Sequence, residues 1–431
     1  MKFRMISLGC PKNLVDSERL AGLLAKEGHE LSDDGELTII NTCAFIAEAS
    51  RESIETILME AERKRDRGGK LVVTGCLYER YGEELQSLLP EVDLFLSNAR
   101  YRNVLPWIGD VSRGDRRAGK DLSPPQGRKI LTQRPSAYLK IQEGCNNRCS
   151  YCTIPSIKGP LVSRPIGEVL DEFRGLLASG FTEITVVGQD ITSYGKDRGT
   201  DLKALLTSLL EEREAFFLRL LYLHPKGIDE ALLDLVAGDE RIIKYFDIPL
   251  QHSEDRILAS MNRGYTKAQA ERLLENIRDR MPDAMLRTTM MVGFPGETDD
   301  EFEALCGFVR EAQFDNLGAF VYSREEGTAA YKFKGQVRGP IKRERHRQLM
   351  SLQQEISRKR LQRLTGRKVQ VVVEGMEGDS MVGRLLLQAP DVDGVAFIRG
   401  RCEPGEIRNA EVVRTLDYDV IVRVEETDGT D

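Results

Sequence analysis

Three short apolar runs share one ending. "FRMISLG", "LTIINT" and "KLVVTG" each stop directly at a cysteine, and Cys10, Cys43 and Cys76 fall 33 residues apart each time. Between the runs lie "DSERLAGLLAKEG" and "AEASRESIETILMEAERKRDRGG", which carry helical spacing and close at glycines. Buried strand, helix, buried strand is the pattern of a parallel sheet with helices on its faces. The carboxyl ends of such strands share one edge, where open α/β sheets bind ligands, so three cysteines far apart in sequence are expected to converge there. The sequences flanking the cysteines do not match one another, so the interval is not a solenoid repeat.

A second alternation starts at Ser136. "SAYLKIQ", "EITVVG", "FFLRLLY", "YFDIP", "LRTTMMVG" and "LGAFVYS" read as strands, separated by amphipathic stretches such as "IGEVLDEFRGLLASG" and "DDEFEALCGFVREA". Six strand–helix steps fall short of the eight of a closed barrel, so a partial, open (βα)6 barrel is expected. Beyond a basic helix around Arg343 to Arg363, the tail from Gly366 carries short glycine-punctuated strands, a pattern of a small all-β barrel or sandwich. The fold class is thus α/β with an all-β end. The expected division is 1–110, a linker at 111–135 rich in Gly, Pro and charge, 136–365, and 366–431.

Composition narrows location and partners. The formal charge of −7 argues against a global nucleic-acid binder, and no stretch reaches the run of about 18 apolar residues that a membrane span needs. A cytoplasmic protein is expected, in which clustered thiols act as metal ligands or catalysts rather than as disulfides.

"EGCNNRCSYC" sets Cys145, Cys149 and Cys152 at spacings of four and three, with no neighbouring histidine. A closed zinc site wants four ligands, and a zinc knuckle here would have to borrow a distant one. Three thiolates hold three irons of a 4Fe-4S cluster and leave the fourth open. This C-x3-C-x2-C spacing, with Tyr151 before the last cysteine, resembles the radical S-adenosylmethionine (SAM) enzymes. The resemblance implies that the methionyl end of SAM chelates the open iron, and that one electron, from a donor such as flavodoxin or ferredoxin, releases a 5′-deoxyadenosyl radical. With Cys10, Cys43 and Cys76 as ligands of a second cluster, the whole chain resembles the methylthiotransferases, and its last domain the TRAM type of β-barrel. The cofactors implied are two 4Fe-4S clusters and SAM. Within that family, "SLGCPKNLVDSE", "DIPLQH", "RTTMMVGFPGET" and "LDYDVIVRV" are similar to the branch that methylthiolates the β-carbon of an aspartate in small-subunit ribosomal protein 12. The tRNA-modifying branch reads "GCQMN" where this chain has "GCPKN".

The tail, with eight basic and fourteen acidic residues, suits a basic ribosomal protein better than tRNA. The basic helix pulls the other way: it is a candidate contact for ribosomal RNA, or a solvated helix packed on the barrel. Gln189, at a strand end, is expected at the methionyl part of SAM. Arg287 is expected to point inward, and Gly293 and Gly296 to open backbone to the nucleoside, with an ion pair and a tight turn as their structural alternatives. His252 either lines the pocket or is satisfied locally, and Cys306 and Cys402 read as structural. Two other functions remain in view: a tRNA adenosine methylthiotransferase, and a non-catalytic iron–sulfur scaffold or electron carrier.

Overall fold

In the computed structural model, which describes residues 1–97, 101, 103–109 and 127–425, the chain forms three layers of structure in sequence order. The first is a five-stranded parallel sheet. Its strands are β1 (Lys2–Ser7), β2 (Glu30–Leu31), β3 (Leu37–Thr42), β4 (Lys70–Gly75) and β5 (Leu94–Leu96), in the order β2-β1-β3-β4-β5. Helices α1 (Pro11–Lys26), α2 (Ala47–Arg67) and α3 (Cys76–Leu88) connect them, and α4 (Val104–Gly109) follows. Helix α1 starts five residues before the apolar run that announces it, because Pro11 supplies a pre-set helical φ and lacks an N–H that a first turn would leave unpaired. Most of the expected linker, residues 111–126, lies outside the described residues.

The central layer runs through β6 (Ser136–Lys140), the small pair β7 (Gln142–Glu143) and β8 (Val162–Ser163), then β9 (Glu183–Val187), β10 (Phe217–Leu220), β11 (Tyr245–Asp247), β12 (Met285–Val292) and β13 (Asn316–Val321). The parallel triplets β6-β9-β10 and β11-β12-β13 meet at a single parallel bridge, Leu218 to Ile242, making one curved wall of six strands. Outside it lie α6 (Ile166–Ala178), α7 (Leu202–Leu210), α8 (Glu230–Gly238), α9 (Asp255–Ser260), α10 (Lys267–Arg280) and α11 (Asp299–Ala312), while α5 (Ile154–Lys158) packs on α3 of the first sheet through Ile157. The largest apolar core joins this wall to these helices.

Helix α12 (Gly339–Gln362) closes the layer against β13. It buries one face, Lys342, Arg345, Leu349, Gln353, Ile356 and Leu361, and Arg345 pairs with Glu297 at 2.6 Å. Arg343, Arg347, Arg358 and Lys359 stay exposed on its other side. The helix is amphipathic and half-solvated.

The last layer is a closed barrel of β14 (Lys368–Glu377), β15 (Ser380–Leu385), β16 (Ala396–Arg399), β17 (Ile407–Thr415) and β18 (Val420–Val424), in the order β14-β15-β16-β18-β17. Its docking on the wall is ionic and buried. Glu183 of β9 accepts from Arg219 of β10 at 2.8 Å and from Arg384 of β15 at 3.0 Å, and all three side chains are buried. Burial pushes the Glu183 carboxyl up, but the two guanidinium groups outweigh it and hold the pKa down to about 2. Apolar residues of the wall, Tyr138, Leu221 and Tyr245, meet Val372, Leu386 and Ala389 in the same seam.

Among the described residues no helix is long and apolar enough to cross a membrane.

Candidate active site

The N-terminal thiols stand at three neighbouring strand ends. Cys10 precedes α1, Cys43 follows β3, and Cys76 opens α3 directly after β4. Because β1, β3 and β4 are adjacent and parallel, the sheet itself brings the three together. Gly9, at φ 89°, lies so close to Cys43 that a Cβ there would sit 2.7 Å from the Cys43 Cβ. Asn13 ties the edge: its amide donates to the carbonyls of Leu8 (3.1 Å) and Thr42 (3.0 Å), and its Oδ1 accepts from the Cys76 thiol at 3.6 Å. Asn41 donates in turn to the Asn13 carbonyl at 2.7 Å. Burial raises the Cys43 thiol, and raises Cys76 to about 12 despite the nearby Lys158 cation.

The second trio occupies one loop between β7 and α5. Here the folding is local. Cys152 donates its backbone N–H to the Cys149 carbonyl (3.1 Å), and the sulfurs of Cys145 and Cys152 each accept a backbone N–H, from Asn147 and Ile154, at 3.4 Å. Arg263 points a guanidinium N–H at the Cys149 sulfur, also 3.4 Å away. Burial lifts Cys152 to about 12, with the Ile154 N–H working against it. Tyr151 packs under the loop on Ile257, Met261, Phe294 and Tyr322.

Between the trios runs an ionic seam, buried except at Glu143, whose side chain is 34% exposed. Lys140 bonds Asp16 at 2.6 Å and also pairs with Glu143, while Lys158 lies 3.5 Å from Asp16 and 3.9 Å from Glu143. Burial pushes Glu143 up, but the two ammonium groups hold its carboxyl down to about 2. Gln189 donates to Glu143 at 2.6 Å, and its own Oε1 is buried with no hydrogen-bond partner. The Lys158 Nζ is likewise a buried donor without a hydrogen-bond acceptor. Arg80 to Glu325 (2.7 Å) and the Thr153 hydroxyl to the Phe45 carbonyl (3.1 Å) hold the first sheet to the wall on the same side.

These groups suit a 4Fe-4S cluster with SAM. Each trio offers soft thiol donors, and orphaned acceptor and donor atoms lie beside them at Gln189 and Lys158, where an amino-acid zwitterion needs both. Among the described residues no three His, Cys, Asp or Glu are placed to close on a single metal ion.

Three of the residues expected near SAM are engaged within the protein. Arg287 turns to the C-terminal barrel, pairing with Asp393 at 2.8 Å and lying 3.8 Å from Asp247, so it is a structural ion pair rather than a SAM contact. Gly293 is a glycine because Lys342 crosses it, with a Cβ there falling 2.4 Å from the Lys342 Cγ, and its N–H is taken by Glu297 at 2.8 Å. Gly296 has its N–H on the Gly335 carbonyl and its carbonyl on Arg256, so neither glycine has an N–H to offer a nucleoside. His252 accepts from the Glu254 N–H at 3.1 Å through Nδ1, while its buried Nε2 has no hydrogen-bond partner and lies 3.6 Å from Glu297. Cys306 is buried in α11, and Cys402 packs at the edge of the C-terminal barrel core.

Sequence reasoning missed Asn13, Asp16, Lys140, Lys158 and Arg263. Lys140 carried a signal, a lysine within an otherwise apolar strand run, "SAYLKIQ". The others lie in helices or loops where a polar residue is unremarkable.

A curved wall of parallel strands with a three-cysteine loop at its carboxyl edge defines the radical SAM class. The profile of the Radical SAM superfamily matches residues 139–309, that of Uncharacterized protein family UPF0004 matches 2–97, and that of the TRAM domain 365–424. Over its whole length the chain is similar to proteins named ribosomal protein uS12 methylthiotransferase RimO. It is 44% identical to that of Geobacter sulfurreducens, covering 97% of this chain and 98% of the relative, and 43% identical to that of Thermotoga maritima, covering 96% and 97%. This chain belongs to the RimO family of radical SAM methylthiotransferases. Membership of the radical SAM superfamily brings a 4Fe-4S cluster and SAM. Among solved structures, the radical SAM methyltransferase TsrM of Kitasatospora setae superposes with a TM-score of 0.56 at 17% identity, over 76% of each chain. OxsB, a cobalamin-dependent radical SAM enzyme, gives 0.51 at 12% identity, over 83% of this chain and 56% of that one. Both likenesses are of fold.

Proposed function

We propose that this enzyme places a methylthio group on the β-carbon of an aspartate in ribosomal protein uS12, using two 4Fe-4S clusters. The ligands of one are Cys145, Cys149 and Cys152, and of the other Cys10, Cys43 and Cys76. One observation carries the reading: two separate three-thiol sets, at the same edge of adjoining domains, share an ionic seam of Asp16, Lys140, Glu143 and Lys158. The names of the full-length relatives support the substrate. The division into 1–110, 111–135, 136–365 and 366–431 follows the same reading, as do a cytoplasmic location and an electron donor of the flavodoxin or ferredoxin kind.

When bound and reduced, the loop cluster with SAM supplies a hydrogen-abstracting 5′-deoxyadenosyl radical. The chain's own residues do the rest. Arg263 and the Asn147 and Ile154 amides orient the loop thiols and offset their charge. The Gln189 Oε1, steadied through Glu143, accepts from an ammonium. Tyr151 and the apolar residues beneath it keep water from the loop. The seam holds the two thiol sets at a fixed separation, so a group made on one side is delivered to a carbon activated on the other.

Mass spectrometry tests this. A strain lacking the gene should lose an increment of about 46 Da, one CH2S, from uS12. Loss of a methylthio group from a tRNA adenosine instead would move the substrate to RNA. Failure of the reconstituted, reduced protein to form 5′-deoxyadenosine from SAM would make it an iron–sulfur scaffold.

A further inference from the structure

Lys12 is a cation that the seam does not use. It is the second residue of α1, two positions past Cys10, and its ammonium lies 3.3 Å from the centroid of the Tyr222 ring. Tyr222 sits just beyond the carboxyl end of β10, in the left-handed region at φ 65°, where a bulky residue is strained. Two bonds hold it there: its N–H donates to Asp247 at 3.0 Å and its carbonyl accepts from Ile191 at 3.2 Å. Leu14 and Val15, on the following turn of α1, pack with Tyr222, Tyr138 and Val187. The start of α1 therefore faces the inner side of the strand wall, and Lys12 lies between the N-terminal thiols and that interior.

An aromatic face holds a cation without neutralising it. Of the other lysines nearby, Lys140 is spent on Asp16 and Glu143, while Lys158 stands 3.5 Å from Asp16 and 3.9 Å from Glu143 with no hydrogen-bond acceptor. Among the described residues no carboxylate forms an ion pair with Lys12; Asp247 acts on it only at longer range, and Arg287 and the Tyr222 N–H already share that carboxylate. An ammonium held by the Tyr222 ring, with the Cys10 thiol as its nearest acidic group and no carboxylate paired to it, is a prepared site for an incoming anion.

Resting on the substrate proposed above, we infer that Lys12 binds the side-chain carboxylate of the target aspartate and so sets which carbon faces the radical. The β-carbon that reacts is bonded to that carboxyl carbon, so an ion pair at Lys12 holds it two bonds from an anchored oxygen. A SAM carboxylate is the other source of the same chemistry. The orphaned Lys158 ammonium beside Glu143 and Gln189 suits that ligand better, and Lys12 is left to the substrate.

The test measures binding to the reconstituted, anaerobic enzyme by fluorescence anisotropy. Its probes are labelled uS12 and uS12 with the target aspartate changed to asparagine. Wild-type enzyme should bind the aspartate form about 30- to 100-fold more tightly, the range of one desolvated charge pair. Lys12→Met should bring the two within about threefold by weakening the aspartate form alone, and Lys12→Arg should restore most of the difference. Equal binding of the two forms by wild-type enzyme overturns the inference with no variant needed. Lys12→Met that keeps the preference overturns it too, as does a weaker SAM affinity in that variant with the preference unchanged, or a shifted potential of the N-terminal cluster alone. Wild-type enzyme that binds neither form overturns the uS12 reading itself, and this one with it.

Discussion

The two thiol trios are built in opposite ways. Cys145, Cys149 and Cys152 sit in eight consecutive residues, and that loop's own amides point at its sulfurs. Cys10, Cys43 and Cys76 belong to three crossovers of one sheet, with Asn13 and Asn41 lacing the strand ends together. A loop trio exists wherever a few turns are formed. A strand-end trio exists only when the sheet is folded, because nothing local holds its members near one another. The first is a motif, and the second is a consequence of topology.

Removing one thiol from each trio gives the largest contrast. Cys149→Ala should abolish 5′-deoxyadenosine formation and lower the iron content from about eight to about four per chain, while Cys43→Ala lowers iron equally. Product analysis separates them: the second variant should still cleave SAM but transfer no sulfur. Sulfur transfer by Cys43→Ala at the wild-type rate would dissolve the distinction.

Asn13→Ala should strike only the strand-end trio. It removes the bonds that Asn13 makes with the Thr42 carbonyl and the Cys76 thiol in a buried site, a cost of about 2–3 kcal/mol to the N-terminal sheet in denaturant titration. Occupancy of the loop cluster, read by electron paramagnetic resonance, should be unchanged; a parallel loss there would mean the trios are not independent.

Acid should loosen the C-terminal barrel. Glu183 is held at about 2 when folded, so its pairing with Arg219 and Arg384 contributes fully above the unfolded carboxyl value near 4.5 and is lost as pH falls toward 2. The loss amounts to about 3 kcal/mol, visible as a falling unfolding midpoint. Glu183→Gln should remove that slope.

The smallest effect concerns Arg287. Arg287→Lys should weaken the seam to Asp393 by about 1 kcal/mol and leave the SAM dissociation constant unchanged. A tenfold weaker SAM affinity would return Arg287 to the cofactor site.

The same contrast explains what was legible in the sequence. Strand runs bounded by cysteine or glycine were readable because a buried parallel strand has no polar alternation to confuse it: Leu37–Thr42 and Lys70–Gly75 coincide with the runs read from sequence. Six strands of an open wall, and the convergence of Cys10, Cys43 and Cys76 at one edge, followed from topology alone. The helix that opens at Cys76 was not read, because it begins without a capping side chain. Arg287 was misplaced because inward and outward are ambiguous on a strand whose far face meets another domain. No periodicity could announce that Asp393, more than a hundred residues later, would claim it. The seam of Asp16 and Lys158 is of the same kind, two ordinary charges paired only by the fold.

The Cys76 and Cys152 thiols, both raised to about 12, bear on how the enzyme is made. A sulfur that keeps its hydrogen at neutral pH is a poor nucleophile and a poor target for peroxide. On the ligation proposed above, burial therefore shields these two thiols from oxidation before iron arrives. If both serve as proposed, filling the sites sheds their protons into solution, so assembly should proceed faster in mildly alkaline medium and acidify an unbuffered one.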